Sequence, residues 1–328
     1  MLHQRLISIV VPIYNEALVL EELHQRLTKV TSEHFSNLEI EFIFVDDGSA
    51  DDSLNVLNRL GKNDKRIAIL ELRANYGQTA ALQAGLSHAR GDVVISMDGD
   101  LQHFPEDIPK LIQSMEKNNF DVVCGWREFR EEGIIRRWPS LVANYFLRTI
   151  SGLNIHDMGT TFRAYRREIL DDIVLMGEGH RFVPIFAKVA GARVGETSIQ
   201  NIERPVGKSN YGIGRALNVF LDLFFLYFFV KCLDRPIRIF GKISLICFTF
   251  AIAITISLAY IWIATGRPVV RDHSGFFTIA VMLYLSSAVF IMVGILAELM
   301  ARIYFSSGKK QPYKIRQISS PGSKRIQL

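Results

Sequence analysis

The chain has 328 residues, of which 49% are hydrophobic, and it carries a formal net charge of +5. That length suits one globular domain with a substantial core and a smaller second part. The basic residues of the first two thirds form no stripe with interleaved aromatic rings, which argues against nucleic-acid binding. Three scattered cysteines without a Cys-x-x-Cys spacing indicate a reducing compartment and no zinc site.

The N-terminal part alternates between β-branched runs and segments of helical periodicity. Strands are predicted at 6–13, 40–45, 67–72, 93–97 and 121–124, and helices at 17–30, 52–60, 79–89 and 106–117. Four strand–helix alternations predict an α/β domain with a mostly parallel sheet and helices on both faces. Further on, we expect a charged surface loop at 127–137, helices at 139–150 and 166–175, and a short strand pair within 188–203.

Two runs in the last third, 243–265 and 275–297, contain no Asp, Glu, Lys or Arg. Each has 23 residues, and a helix of that length is about 35 Å long, enough to cross a hydrocarbon core. A buried core helix is the alternative for each run. The segment 216–233 is rich in Phe but is interrupted by Asp222, which favours a helix lying in the membrane interface.

The charges that flank the two runs predict the orientation. Lys231, Arg235, Arg238 and Lys242 precede the first run, and seven Lys or Arg with no acidic residue lie between Leu299 and Leu328. The positive-inside rule then places the large domain and the C-terminal tail in the cytoplasm, with a short outer loop.

Two carboxylates, Asp98 and Asp100, directly follow the predicted strand 93–97. Open α/β sheets bind ligands at the carboxyl ends of their strands. Together with Gln102, these residues offer the hard oxygen atoms that Mg²⁺ or Mn²⁺ prefers, and such ions are held by one or two carboxylates plus substrate phosphates. A simple Asp-Gly-Asp turn is the alternative.

Polar residues also follow the first two predicted strands. Asp46 and Asp47 end the second strand, where acidic groups accept hydrogen bonds from a base or ribose in dinucleotide folds. Asn15 and Asp47 also suit helix N-caps. No Gly-x-x-x-x-Gly-Lys or Gly-x-Gly-x-x-Gly pattern supports an ATPase or a dehydrogenase. The first strand ends in a proline, an aromatic ring and two hydrogen-bonding side chains: Pro12, Tyr14, Asn15 and Glu16.

Six motifs resemble those of the inverting family 2 glycosyltransferases: VPIYNE at 11–16, VDDGS at 45–49, RANYG at 73–77, DGDLQHFPE at 98–106, CGWR at 124–127 and DMGTTFR at 157–163. More narrowly, the chain is similar to polyisoprenyl-phosphate glycosyltransferases, namely dolichyl-phosphate mannose synthases and bacterial undecaprenyl-phosphate (bactoprenol) glucosyltransferases. The two apolar runs favour the bacterial branch. The absence of a Gln-x-x-Arg-Trp signature disfavours the processive polysaccharide synthases.

The resemblance implies a GT-A, Rossmann-like fold with a nucleotide sugar across the strand ends and a metal under its diphosphate. It assigns the metal, Mg²⁺ or Mn²⁺, to Asp98, Asp100 and Gln102, and makes Asp100 a catalytic residue. It assigns the contacts with the nucleotide sugar to Pro12, Tyr14, Asn15, Glu16, Asp46, Asp47, Arg73 and Asp98.

For the acceptor, the resemblance implies a lipid monophosphate bound by Arg127, Arg136 and Ser140, because guanidinium forks suit phosphate oxygens. For each arginine a solvated charged surface is the alternative. Asp157 is the second catalytic residue, assigned to positioning the acceptor or sugar, with general base as the other option.

The resemblance therefore implies transfer of one hexose, with glucose from UDP-glucose expected, to undecaprenyl phosphate at the inner membrane. A GDP-mannose-dependent polyprenyl-phosphate mannosyltransferase is the alternative within the class, and a non-catalytic lipid-phosphate binder or flippase accessory the alternative outside it. Self-association through apolar helix faces into a homo-oligomer is also open. The expected organisation is a cytoplasmic catalytic domain at 1–213, an interfacial region at 214–242, two transmembrane helices within 243–297 and a basic cytoplasmic tail at 298–328.

Overall fold

The computed structural model describes residues 6–128, 152–171, 173, 179–200, 236–306, 315–319 and 326–327. The chain divides into a sheet unit, Met1–Leu223 with Gln311–Leu328, and a helical unit, Phe224–Lys310. Several expected features lie outside the described residues: the helix 139–150, the interfacial helix 216–233, and the acceptor residues Arg136 and Ser140.

The strands of the sheet unit, in the part of the chain described, are β1 (Leu6–Ile13), β2 (Glu39–Asp46), β3 (Ile67–Leu72), β4 (Val93–Ser96), β5 (Val122–Arg127), β6 (Arg163–Arg166), β7 (Val194–Ile199), β8 (Ile315–Ser319) and β9 (Ile326–Gln327). They form one sheet in the order β7-β5-β6-β4-β1-β2-β3-β8-β9. The central strands β3, β2, β1 and β4 are parallel.

The sheet is mixed, and the expectation of a mostly parallel sheet is corrected in this respect. β6 lies antiparallel between β4 and β5, and β8 lies antiparallel on the edge of β3. β6 is antiparallel to β4 because the chain enters β6 from segment 152–162, at the carboxyl end of β4.

The helices of the sheet unit cover both faces of the sheet, as predicted. Alternate residues of β1, such as Ile9 and Val11, belong to a core shared with α1, α2 and α4. On the opposite face, Val10 lies against Gly85 of α3. Both faces are thus buried, which explains the continuous apolar character of β1. The helices are α1 (Leu20–His34), α2 (Ser53–Asn63), α3 (Gln78–His88), α4 (Ile108–Asn118), α5 (Arg167–Leu170) and α6 (Val183–Val189), with 3₁₀ turns at Pro105–Asp107 and Gly179–Arg181.

Two predicted elements differ from the structure. The segment predicted as helix 166–175 begins at the end of strand β6, and of its described residues only the four of α5 are helical. Arg166 pairs with Val93 of β4, so strand pairing holds the start of the predicted helix in extended form. The predicted strand pair within 188–203 is, over its described residues, the end of α6 followed by the single strand β7.

The helical unit contains α7 (Pro236–Thr265), the short α8 (Val269–Asp272) and α9 (Ser274–Ser306). By length and composition, Pro236–Thr265 and Ser274–Met300 could each cross a membrane, with mean hydropathies of 2.2 and 2.5. Only 6% and 17% of the most apolar stretch of each helix is buried, whereas a core helix of a soluble protein is mostly buried. The two helices contact each other at two serines: Ser244 Oγ donates to the backbone carbonyl oxygen of Ser287 at 2.8 Å, and the two hydroxyl oxygens lie 3.0 Å apart.

The C-terminal segment 298–328, expected to be a basic tail, has a different organisation. Helix α9 continues to Ser306, and β8 and β9 extend the sheet. In β8, Ile318 pairs with Leu70 and Gln317 with Glu71. The edge of β3 would otherwise leave its backbone donors and acceptors unpaired, so β8 satisfies them.

Candidate active site

Three polar segments meet at one edge of the sheet because β1, β2 and β4 are parallel and in register. Ile13, the last residue of β1, pairs with Asp46, and Val10 pairs with Ser96 at the end of β4. The segments that follow these strands therefore emerge side by side. The expected grouping of 12–16, 46–47 and 98–102 at the carboxyl edge is what the structure contains.

Asn15 joins the first of these segments to the second. It has a positive φ of 57°, and its side-chain oxygen accepts a hydrogen bond from the Ala50 N–H at 2.8 Å. Its own N–H donates to Ser49 Oγ at 3.0 Å. The side chain is thus engaged within the protein, whereas the neighbouring Tyr14 ring is 47% exposed and available to a ligand.

Asp47 fixes the loop that follows β3. Its two carboxylate oxygens accept hydrogen bonds from the N–H groups of Tyr76 and Gly77, each at 2.8 Å. Gly48 has a φ of +68°, and a Cβ there would come within 2.8 Å of the Ala74 carbonyl carbon, so the two loops touch through their backbones. The arrangement makes Asp47 a support for the segment that carries Arg73, which is itself exposed.

Asp46 lies beside Asp47 and is equally sequestered. Asp46 is 1% exposed and Asp47 3%. Burial raises the pKa of both carboxyl groups above its usual value, since it disfavours the charged form. Asp46 accepts hydrogen bonds from the Ser49 N–H, at 3.3 and 3.4 Å, and further hydrogen bonds from Ser49 and Gly48 lower its pKa in opposition to burial.

Asp98 and Asp100 lie on a tight turn after β4. Gly99 packs so closely that a Cβ there would come within 2.5 Å of Ile13 Cδ1, and Leu101 has a φ of 58°. Asp98 Oδ1 accepts a hydrogen bond from Gln78 Nε2 at 2.7 Å. Asp100 Oδ1 accepts one from the Gln102 backbone N–H at 3.1 Å.

The donor set of this turn fits a hard divalent cation shared with a substrate diphosphate. Among the described residues, no group of three or more His, Cys, Asp or Glu side chains could hold a metal ion by itself. Two carboxylates and the amide oxygen of Gln102 supply part of an oxygen shell, and Mg²⁺ typically completes such a shell with phosphates and water. The residues therefore fit the implied Mg²⁺ or Mn²⁺.

Arg127 and Asp157 form a two-point ion pair. Arg127 Nε lies 2.6 Å from Asp157 Oδ2, and a terminal guanidinium nitrogen lies 3.1 Å from Oδ1. Their side chains are 15% and 8% exposed. The Gly159 N–H also donates to Asp157 Oδ1 at 3.2 Å. The expected acceptor arginine and the expected catalytic aspartate are thus brought together.

Three further residues at this edge were not singled out from the sequence. Gln78 opens α3 and contacts Asp98. His103, 1% exposed, follows the metal turn, and His180, 5% exposed, has its Nδ1 2.7 Å from Thr79 Oγ1. Burial lowers the pKa of His103, and it lowers that of His180 to about 4, so both imidazoles are neutral at pH 7. Only His103 had a usable sequence signal, its position next to Gln102.

The mixed sheet with helices on both faces has a GT-A-like fold. Among solved structures, the chain is similar to glucosyl-3-phosphoglycerate synthase from Mycobacterium tuberculosis in complex with Mn²⁺, UDP and phosphoglyceric acid, with a TM-score of 0.51 and 18% identity over 67% of this chain and 78% of that one. At this identity the likeness establishes the fold.

Sequence comparison defines the family. The model of glycosyl transferase family 2 matches residues 8–174. A dodecaprenyl-phosphate galacturonate synthase of Rhizobium johnstonii is 37% identical over 95% of this chain and 92% of the relative. An undecaprenyl-phosphate 4-deoxy-4-formamido-L-arabinose transferase of Salmonella choleraesuis is 33% identical over 97% of this chain and 94% of the relative. The chain belongs to glycosyl transferase family 2 and is a glycosyltransferase.

Proposed function

We propose that this enzyme transfers one sugar from a nucleotide sugar to the phosphate of a polyprenyl phosphate at the inner membrane. The observation that carries the proposal is the near-complete coverage of two relatives whose names share a polyprenyl-phosphate acceptor. That coverage includes the two apolar helices, which would bring the sheet unit to a lipid substrate. Membership of a glycosyltransferase family argues against the non-catalytic binder.

The proposed donor site is the carboxyl edge of β1, β2 and β4. Tyr14 offers an exposed ring beside the base, and Asp46, which ends β2 at the same edge, would accept hydrogen bonds from the nucleoside. Asp98, Asp100 and Gln102 would hold Mg²⁺ or Mn²⁺, which when bound neutralises the charge of the departing diphosphate. Support for the metal comes from the hard-oxygen donors and from the fold shared with a synthase whose structure contains Mn²⁺ and UDP.

The proposed acceptor site centres on Arg127. In the inverting reaction an acceptor phosphate oxygen attacks the anomeric carbon, the bond from that carbon to the nucleotide phosphate oxygen breaks, and the nucleoside diphosphate departs. A phosphate is already ionised at neutral pH, so the acceptor needs orientation more than a base. Asp157 holds the Arg127 fork at two points, which favours its positioning role over general base catalysis.

For the sugar, the relatives point away from the expected glucose. Their names specify galacturonate and 4-deoxy-4-formamido-L-arabinose. We therefore place the donor among UDP-linked uronates and amino sugars, with UDP-glucose and GDP-mannose as the competing donors. The acceptor is undecaprenyl phosphate or a polyprenyl phosphate of similar length.

A transfer assay tests the proposal. Purified protein is incubated with undecaprenyl phosphate, Mn²⁺ and one radiolabelled donor at a time: UDP-galacturonate, UDP-4-deoxy-4-formamido-L-arabinose, UDP-glucose or GDP-mannose. We expect label in the lipid fraction with one of the first two. No transfer from any of the four would overturn the proposed function, and transfer from only UDP-glucose or GDP-mannose would overturn the sugar class.

Asp100→Asn provides the matched variant for that assay. Losing a carboxylate from the metal turn should lower kcat/KM at least about 100-fold, because charge on the leaving diphosphate is no longer neutralised. Asp171→Asn removes a carboxylate whose side chain is 69% exposed, and it should leave kcat/KM unchanged. Equal activity of both variants would place the metal elsewhere.

A further inference from the structure

His103 is a buried imidazole with one nitrogen that has no hydrogen-bond partner. It is 1% exposed, and Nδ1 is among the few buried side-chain atoms of the described residues that no donor or acceptor reaches. A buried polar atom without a hydrogen-bond partner is destabilising. Because native interiors contain few such atoms, its retention at this position calls for an explanation.

The unpartnered nitrogen faces the metal turn. Nδ1 lies 3.8 Å from Asp98 Oδ2, while Asp98 Oδ1 is already held by Gln78 at 2.7 Å. A gap of 3.8 Å is too long for a hydrogen bond. In structures without substrate, hydrogen bonds at active sites are often long and shorten when the ligands bind.

The rest of the imidazole is fixed by its surroundings. The ring lies against Phe162, with 5.4 Å between ring centroids, and Nε2 lies 3.5 Å from Thr160 Oγ1. Thr160 belongs to the same segment as Asp157, the partner of Arg127. His103 therefore lies between the turn that carries Asp98 and the segment that supports the acceptor arginine.

We propose that His103 is a positioning residue for Asp98. In the substrate complex its Nδ1–H donates to Asp98 Oδ2 and Nε2 accepts from the Thr160 hydroxyl, so that Asp98 is held by Gln78 on one oxygen and by His103 on the other. This inference rests on the proposed function, because it concerns the carboxylate assigned to the metal and diphosphate. Hydrogen bonds to metal-ligating groups commonly change metal affinity 10–100-fold when removed.

Two amide variants separate positioning from packing. In His103→Asn the amide group attached to Cγ takes the place of Nδ1 and can still donate to Asp98. In His103→Gln the amide lies one bond further out, near the place of Nε2, and cannot. His24→Asn is the control, because His24 is a partly buried imidazole that is paired with Asp64 at 2.9 Å and lies against Phe42, away from the metal turn.

The measurement is Mn²⁺ affinity in the presence of UDP, followed by the loss of the free Mn²⁺ electron paramagnetic resonance signal. We expect His103→Gln to weaken Mn²⁺ binding 10–100-fold, His103→Asn to remain within about threefold of wild type, and His24→Asn to match wild type. If His103→Gln is not recovered folded, His103→Phe, which keeps the ring against Phe162 but has no N–H, replaces it.

The outcomes distinguish the two proposals. Wild-type affinity in the Gln variant, or equal weakening in the Asn and Gln variants, would overturn the positioning role while leaving the proposed function intact. Failure of the wild-type protein to bind Mn²⁺ with UDP would instead overturn the metal assignment of the proposed function.

Discussion

Hydrogen bonds from single side chains to the backbone hold the loops of the carboxyl edge together. Asp47 uses both oxygens on the backbone of Tyr76 and Gly77, and Asn15 uses its amide oxygen on the backbone of Ala50. Such residues shape the donor site without needing to contact the donor. The exposed Tyr14 ring and the metal turn are then the proposed contacts with the donor.

His180 gives a residue-scale prediction about pH. Its pKa is 6.5 in an unfolded chain and about 4 here, because burial disfavours the protonated imidazole. Between these values the unfolded state binds more protons than the folded state, so this contribution to stability is complete above pH 6.5 and is lost as the pH falls toward 4. The full loss corresponds to about 3 kcal/mol.

His180→Asn tests this contribution, because the Asn amide can keep the contact with Thr79 but does not titrate. The difference in free energy of unfolding between wild type and variant, measured in detergent by chemical denaturation, should be constant above pH 6.5. At pH 4 the free energy of unfolding of the wild type, relative to that of the variant, should be lower than at pH 7 by up to about 3 kcal/mol. A difference that is the same at pH 7 and pH 4 would contradict the lowered pKa.

At the scale of elements, the central strands follow directly from the sequence, whereas the flanking strands do not. The predicted bounds of β1 and β3 match the observed ones. Continuous apolar, β-branched runs are typical of parallel strands that are buried on both faces. β6 and β8 depend on long-range antiparallel pairing that no local pattern of Arg163–Arg166 or Ile315–Ser319 reveals.

The same division applies to the site. The grouping of Asp46, Asp98 and Tyr14 at one edge follows from parallel strands alone, so the sequence sufficed to predict it. The pairing of Arg127 with Asp157 depends on the return of the chain into β6. The role of Asp47 depends on a loop 29 residues further along the chain, which only tertiary structure brings near.

The packing of α3 on the sheet gives an element-scale prediction. A Cβ at Gly85 would lie 2.3 Å from Val10 Cγ1 and 3.0 Å from Val45 Cγ2. Gly85→Ala should therefore destabilise the protein by about 1–3 kcal/mol through overpacking, despite the better helix propensity of Ala. The apparent melting temperature in detergent measures the effect.

A double-mutant cycle identifies the cause of that loss. Val10→Ala removes the contacted methyl group, so Gly85→Ala should cost less in the Val10→Ala background than in wild type. Strictly additive effects of the two substitutions would place the strain somewhere other than the contact between α3 and β1.

At the scale of the whole molecule, the sheet limits how many times the chain can cross a membrane. β3 precedes the helical unit in sequence and β8 follows it, yet the two strands pair in one sheet. A chain that returns to the same sheet must cross a membrane an even number of times. Two crossings, by α7 and α9, meet this requirement and agree with the flanking positive charges.

Thiol labelling tests this topology. With Cys232 and Cys247 replaced by Ser, the remaining Cys124 is buried and its pKa is raised to about 11, so it should not react. In spheroplasts, a membrane-impermeant maleimide should label Asp272→Cys, in the segment between the two helices, but label Lys62→Cys on α2 only after lysis. Labelling of both positions, or of Lys62→Cys alone, before lysis would contradict the proposed orientation.

The mass of the lipid product tests most directly whether the enzyme transfers one sugar to a polyprenyl phosphate. The enzyme in nanodiscs is given undecaprenyl phosphate, Mn²⁺ and a UDP-linked uronate or amino sugar, and the extracted lipid is analysed by mass spectrometry. We expect the mass of the acceptor plus one sugar residue, with one UDP released per product and no product from Asp100→Asn. An unchanged acceptor mass with every donor, or a ladder of several sugars on one lipid, would contradict it.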